Sequence, residues 1–331
     1  MGIRNLSILI PTYSALRRDV KRQRRFIHSV IEPEIEYALK TNDGSLDGED
    51  FDKIRNYYGF GVPAIVGEGF CTLRGKPMNE RERLASTYQG ALTGLYDDFF
   101  DKTHLHDDEI RKMMDDPPGY EAKSSLEKLF VSFLKNVHEN IQDKASFNQS
   151  FYGVYMAQME SKKQASDEIS EETIREITFK KGGASLLFYR SIFGFPFMKE
   201  EEDALYHAGA LMQLGNDIFD VYKDDRQHIS TLMTRCKKVD QVRQIFNHQL
   251  DKSISLIRET SYDGKNINTY LRKFVLGISR CFVCLDQMER LEQKTGGHFN
   301  PAEYSRQELI CDMEKPHNIL SSLRYFTGYK F

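Results

Sequence analysis

The chain has no tryptophan, only nine prolines in 331 residues, and five cysteines. Cys281 and Cys284 form a single Cys-x-x-Cys step, but no second pair or His cluster stands at zinc-ligand spacing. A disulfide scaffold and a structural zinc site are thereby set aside. The cysteines read as small core residues, and a reduced, cytoplasmic setting is expected. Long apolar runs are missing too. Nothing approaches the ~18 residues of a membrane span, and the segment 6–11 is too short for the apolar core of a secretory signal. Charge of one sign is scarce: 46 Lys and Arg against 49 Asp and Glu leave a formal net charge of −3, with no nucleic-acid footprint. The one local excess is Arg17, Arg18, Lys21, Arg22, Arg24 and Arg25. It reads as the solvated face of a first helix, with membrane-surface contact as the second reading.

Alternating β-branched runs are absent as well, while apolar residues recur at helical spacing between Gly- and Pro-marked breaks. Helices are expected over 13–40, 51–60, 79–103, 107–114, 120–142, 146–163, 170–190, 199–226, 240–259, 268–293 and 301–325. The segment 61–77 reads as a connector, and Gly182-Gly183 should interrupt the helix that contains it. No repeat, linker or composition shift marks a boundary. One all-α domain over 1–331 is expected, a bundle around a central cavity.

Two stretches carry chemistry. Asn216, Asp220 and Asp224 lie four residues apart, so on a helix they form one stripe of oxygen ligands. The stripe continues backwards through Met212, Gly209 or Ala208, and Leu205, all small or apolar. Burying such oxygens beside apolar surface costs several kcal/mol unless a cation compensates. Mg²⁺, which keeps waters and bridges to phosphate, suits that role. Asp97 and Asp101 repeat the arrangement, backed by Thr93, Gly90 or Gln89, and Ser86. The opposite stripe, Leu84, Tyr88, Leu92, Leu95 and Phe99, has core-facing spacing. Facing carboxylate rows would let metal ions hold a diphosphate and neutralise it as it leaves. The fragment left behind would be a carbocation, for which rings such as Phe99, Tyr152, Phe188 and Phe193 offer faces. The competing account is that these rings fill a core lacking Trp.

The segments DDFFD (Asp97 to Asp101) and NDIFDVYKD (Asn216 to Asp224) resemble the two metal-binding motifs of class I isoprenoid synthases. The first matches that family's DDxxD without change. The second matches the terpene-cyclase pattern Asn-Asp-x-x-Ser/Thr-x-x-Lys-Asp/Glu at Asn216, Asp217, Lys223 and Asp224. Asp220 replaces the hydroxyl residue, a change toward the chain-elongating prenyl synthases. The resemblance implies three Mg²⁺ ions, with Mn²⁺ as a substitute, held by Asp97, Asp101, Asn216, Asp220 and Asp224. It implies a diphosphate held by Lys180 or Lys181, Lys223, Arg226 and Arg324, with a hydrogen bond from Tyr325. Asp98 and Asp217 would orient neighbouring side chains, Lys and Arg among them. Gly182-Gly183 would break its helix and turn N–H groups toward the anion. Leu92, Thr93, Phe188, Ala208, Gly209 and Met212 would line a cavity for a linear prenyl chain of roughly 15 to 20 carbons or longer.

Departures from the family narrow the expectation. A chain-elongating synthase would carry Gly-Gly-Lys-x-x-Arg upstream and an Arg pair after its first motif. This chain has Arg74-Gly75-Lys76-Pro77 and KTHLHDDEIRK instead. One substrate diphosphate and cyclisation to a terpene are therefore expected. Prenyl transfer is the alternative, by chain elongation or by head-to-head condensation as in squalene/phytoene synthases, where Phe219 stands in place of an Arg. Two other classes fit the sequence less well. His104, His106 and Asp107 hint at a His-Asp phosphohydrolase, but the nearest additional histidines, His28 and His138, show no role in such a site. A helical interaction protein would leave its acidic rows solvated and would need no small residues behind them. No nucleic-acid partner and no stable membrane insertion are expected, and a homodimer is compatible with the sequence.

Overall fold

The computed structural model describes residues 6–102 and 105–331, without the side chains of 97, 98 and 100–102. Over those residues the fold is all-α, with no β-strand. Its main helices are α1 (Leu6–Phe26), α2 (Glu32–Thr41), α3 (Glu68–Arg74), α4 (Glu80–Lys102), α5 (Asp107–Asp115), α6 (Ser125–Asn140) and α7 (Lys144–Ser161). They continue with α8 (Glu171–Arg190), α9 (Lys199–Phe219), α10 (Val221–Arg226), α11 (Val239–Glu259), α12 (Gly264–Lys294) and α13 (Pro316–Gly328).

Local start signals explain several of these boundaries. The Glu82 N–H donates to Asn79 Oδ1 and the Asn79 N–H to Glu82 Oε2, both at 2.9 Å, a reciprocal cap that begins α4. Ser124 Oγ accepts from the Glu127 N–H at 3.2 Å to begin α6. Asp263 does the same for Lys265 at 2.9 Å, which is why α12 starts at Gly264 rather than at 268. Elsewhere the expected limits need correction. The segment 301–325 is not one helix. Short turns at Pro301–Glu303 and Arg306–Leu309 precede α13, and Pro316 opens it. The expected connector 61–77 contains a wide helical turn, Val62–Gly67, and then α3, which Gly75 ends with φ 71°.

By its contacts the chain divides into two compact units. The first comprises Tyr13–Tyr152 and Phe188–Pro196, and α4 is its axis. Tyr88, Leu92, Leu95 and Phe99 on α4 are buried, with α6 packed alongside. Phe99 stacks on Phe130 with ring centroids 4.3 Å apart, and Phe151 stacks on Phe188 at 5.1 Å. α4 also passes the turn Tyr58–Gly61 so closely that a Cβ on Gly90 would stand 2.5 Å from the Tyr58 carbonyl oxygen. Beside this apolar core runs a buried polar network. Arg83, itself 5% exposed, donates to Glu68 at 2.5 Å and to Gln23 at 3.1 Å. Arg74 forks onto both carboxylate oxygens of Glu82 at 2.5 and 2.6 Å. Such charges tolerate burial only because each is paired and hydrogen-bonded.

The second unit comprises Met1–Thr12, Gly153–Leu187 and Phe197–Phe331. In it α9 packs on α11 and α12, and α12 packs on α13. α8 runs without interruption from Glu171 to Arg190, so the expected break at Gly182-Gly183 does not occur. The glycines serve contact instead. A Cβ on Gly182 would overlap the Gly209 carbonyl oxygen, and one on Gly209 would overlap that of Gly182. A Cβ on Gly183 would fall within the Tyr206 ring. α8 and α9 thus cross backbone to backbone.

Candidate functional site

This crossing positions the second acidic motif. Asp217 lies on α9 two turns beyond Gly209 and is 5% exposed. Its carboxylate accepts from Thr178 Oγ1 of α8 at 2.9 Å and from Gln213 Nε2 at 2.9 Å. Burial pushes the Asp217 carboxyl up to about 6, against those hydrogen bonds and the positive charge of Lys181. The hydrogen-bond partners of Asp217 are thus Thr178 and Gln213, not the Lys and Arg expected from the sequence. Sequence reading missed both, although Gln213 stands four residues before Asp217 on the same helical face.

The helix expected over 199–226 is two helices. α9 ends at Phe219, and Asp220, at φ −89° and ψ 9°, separates it from α10. Aspartate competes with its own backbone for hydrogen bonds and is at home at such junctions. The hydrogen-bond register survives: the Asp220 N–H donates to the Asn216 carbonyl and the Asp224 N–H to the Asp220 carbonyl, each at 2.9 Å. Asn216, Asp220 and Asp224 remain one turn apart in sequence, and Asn216 Nδ2 reaches Asp220 Oδ2 at 3.3 Å.

Desolvation raises the carboxyl of Asp220, with Lys223 and Asn216 opposing. Asp224 is pushed up to about 7, first by burial and then by the charges of Asp217 and Asp220, while Lys223 and Lys181 pull it down. Three acids thus compete for negative charge in a half-dry setting. Among the described residues, which leave out the Asp97 and Asp101 side chains, no three His, Cys, Asp or Glu groups converge as a metal site. An amide ligand such as Asn216 lies outside that set.

The adjacent lysines separate. Lys180 is paired with Glu160 at 2.5 Å. Lys181 acts electrostatically on both Asp217 and Asp224 and is the lysine associated with the acid row. Lys223 and Arg226 are exposed on α10, and Arg226 lies over the Tyr222 ring at 5.5 Å. The Arg324-Tyr325 pair is placed differently from the closing role its resemblance implies. Tyr325 donates to both oxygens of Asp286 at 2.7 and 2.9 Å and stacks on Phe282 at 4.9 Å. Asp286 is in turn paired with Arg243 at 2.9 Å. Arg324 and Tyr325 line a groove of about 810 Å³ with Arg243, Asn247 and Asp286.

The expected cavity lining also needs correction. Gly209 faces the α8 backbone, so its missing side chain makes a helix contact rather than open space. Ala208 is fully buried, whereas Met212 is 37% exposed. In the first unit Leu92 is fully buried, and Phe188 is closed in by Phe147 and Phe151. Thr93 donates to the Gln89 carbonyl at 3.0 Å and accepts from the Tyr189 hydroxyl at 3.3 Å. Rings considered for a carbocation thus largely pack on one another: Phe193 meets Phe70 edge-on at 5.5 Å. The side chains of Asp97, Asp98, Phe100 and Asp101, and residue His104, lie outside the described residues; the backbone of 97–101 is helical, within α4.

No protein-family model matches the chain, nor does any curated protein or solved structure. Among the described residues no helix is long and apolar enough to cross a membrane.

Proposed function

We propose that this protein is a class I isoprenoid synthase, a terpene cyclase that ionises one linear prenyl diphosphate. The observation that carries the reading is the row Asn216, Asp217, Asp220 and Asp224 beside Lys181. Burial raises all three carboxyls, and neighbouring acids add to the rise at Asp217 and Asp224, so the row gains by taking up positive charge. Asn216, Asp220 and Asp224 offer oxygen ligands of the kind Mg²⁺ takes, and the sequence resemblance implies Asp97 and Asp101 as further ligands. Bound Mg²⁺ would supply the charge that stabilises departing diphosphate. Lys181 and Lys223 add fixed cations for the same anion, and Asp217, held by Thr178 and Gln213, keeps α8 and α9 in register around them.

A single diphosphate is favoured over two. Arg74, which stands where a second-anion segment would be sought, is already engaged by Glu82. Prenyl transfer by elongation therefore ranks below cyclisation. The test is incubation with each common linear prenyl diphosphate and Mg²⁺, with products identified by mass spectrometry. Asn216→Ala and Asp224→Asn should each lower turnover by at least ~100-fold, the scale of losing one charge-stabilising group, with the helical signal unchanged. Full turnover in both variants would remove the assignment.

A further inference from the structure

One face of α1 bears a surface that the proposed reaction does not use. At 100° per residue, Leu6, Ile10, Tyr13, Arg17, Lys21 and Arg24 fall on one stripe, flanked by Arg18 and Arg25. Thr12, Asp19 and Gln23 occupy the opposite side and are buried. The outward stripe is open: Leu6 is 52% exposed, Ile10 72% and Tyr13 57%. Of the cations, Arg22 is bonded to Glu68 and Arg24 lies over the Phe60 ring. The side chains of Arg17, Arg18, Lys21 and Arg25 form no ion pair among the described residues. Neither feature serves the fold. Arg17, Lys21 and Arg25 repeat a like charge at four-residue steps, which opposes helix formation, and Ile10 leaves most of its side chain in water.

We propose that the outward face of α1 docks the protein on a membrane surface rich in anionic lipid. The four unpaired cations hold headgroup phosphates, while Ile10 and Tyr13, with Leu6, enter the boundary between headgroups and acyl chains. Charge complementarity selects an anionic partner, and the apolar half of the same stripe selects a bilayer over a nucleic acid, which has no use for an exposed isoleucine. α1 would lie along the surface rather than cross it, in keeping with its cationic half. This docking stands apart from the acid row, and either reading can fail alone.

The test is co-sedimentation of the full chain with vesicles of phosphatidylcholine alone and of phosphatidylcholine with admixed phosphatidylglycerol. Binding is expected on the anionic vesicles only and should weaken as salt rises. The triple variant Arg17→Gln/Lys21→Gln/Arg25→Gln should bind roughly 100-fold more weakly, at about five-fold per charge. Ile10→Ser should weaken binding while leaving its salt dependence in place. Both variants alter exposed side chains, and an unchanged circular dichroism spectrum would show that each is folded. Equal binding to both vesicle types, no binding, or an unaffected triple variant would overturn the proposal. So would duplex DNA on beads capturing the protein as well as the anionic vesicles do, with Ile10→Ser without effect. That result would mark a general polyanion surface.

Discussion

Replacing Gly182 with alanine tests whether the glycines on α8 serve a helix break or a helix contact. In an open helix interior, Gly→Ala gains about 1 kcal/mol from the backbone entropy of the unfolded chain. At 182 the added methyl would overlap the Gly209 carbonyl and stand 2.7 Å from Gln213 Cβ. Both belong to α9, so the helices must part, and overpacking of this sort costs about 1–3 kcal/mol. Parting them also stretches the bond from Thr178 to Asp217 and leaves a buried carboxylate short of a donor, about 1–3 kcal/mol more. The net expectation is a loss of about 1–5 kcal/mol. Gly277 on α12 is the control, since a Cβ there meets nothing within 4 Å. Gly277→Ala should gain up to about 1 kcal/mol. Urea unfolding followed by circular dichroism reads both. If Gly182→Ala matched Gly277→Ala in sign and size, the backbone-to-backbone crossing would be refuted.

Two further predictions concern titration and the C-terminal helix. The Asp217 carboxyl is raised from 3.8 to about 6 in the folded state, so folding takes up a proton between those values. Stability contributed at that site is present below the lower value and is lost as pH rises through about 6. Asp217→Asn should therefore gain on the wild type by up to ~3 kcal/mol between about pH 4 and pH 7, read from urea midpoints. A constant difference across that range would contradict it. Tyr325→Phe keeps the stack on Phe282 but gives up both bonds to Asp286, a loss of about 1–2 kcal/mol in thermal unfolding. Because that hydroxyl is committed to Asp286, turnover should fall less than about tenfold, well short of the oxyanion-donor scale. A larger fall would return Tyr325 to the diphosphate.

Fold class was legible because helical spacing is a local property repeated along the chain, and caps such as Asn79 with Glu82 declare themselves within four residues. α4 accordingly runs as its pattern predicts. Glycine was read less well. The same residue that relaxes a backbone also lets two backbones touch, and only the partner, here Gly209 meeting Gly182, decides between them. The acid row was visible as spacing, but its surroundings were not. Thr178 lies far from Asp217 in sequence, and Tyr325 finds Asp286 across two helices. The junction at Asp220 also escaped the pattern, because the periodicity of 216, 220 and 224 persists through it. The Arg83–Glu68–Gln23 network had no signature, since its members come from separate helices and look like ordinary surface charges in the sequence.

The abutting glycines also restrict how this protein can be diversified. Every other amino acid carries at least a methyl, so a randomised library at 182, 183 and 209 would consist largely of chains that fail to assemble. Productive variation lies at a neighbour outside the acid row whose side chain is open, such as Met212 on α9. A breeder of new specificities would treat the glycine triplet as fixed masonry and search the side chains mounted around it.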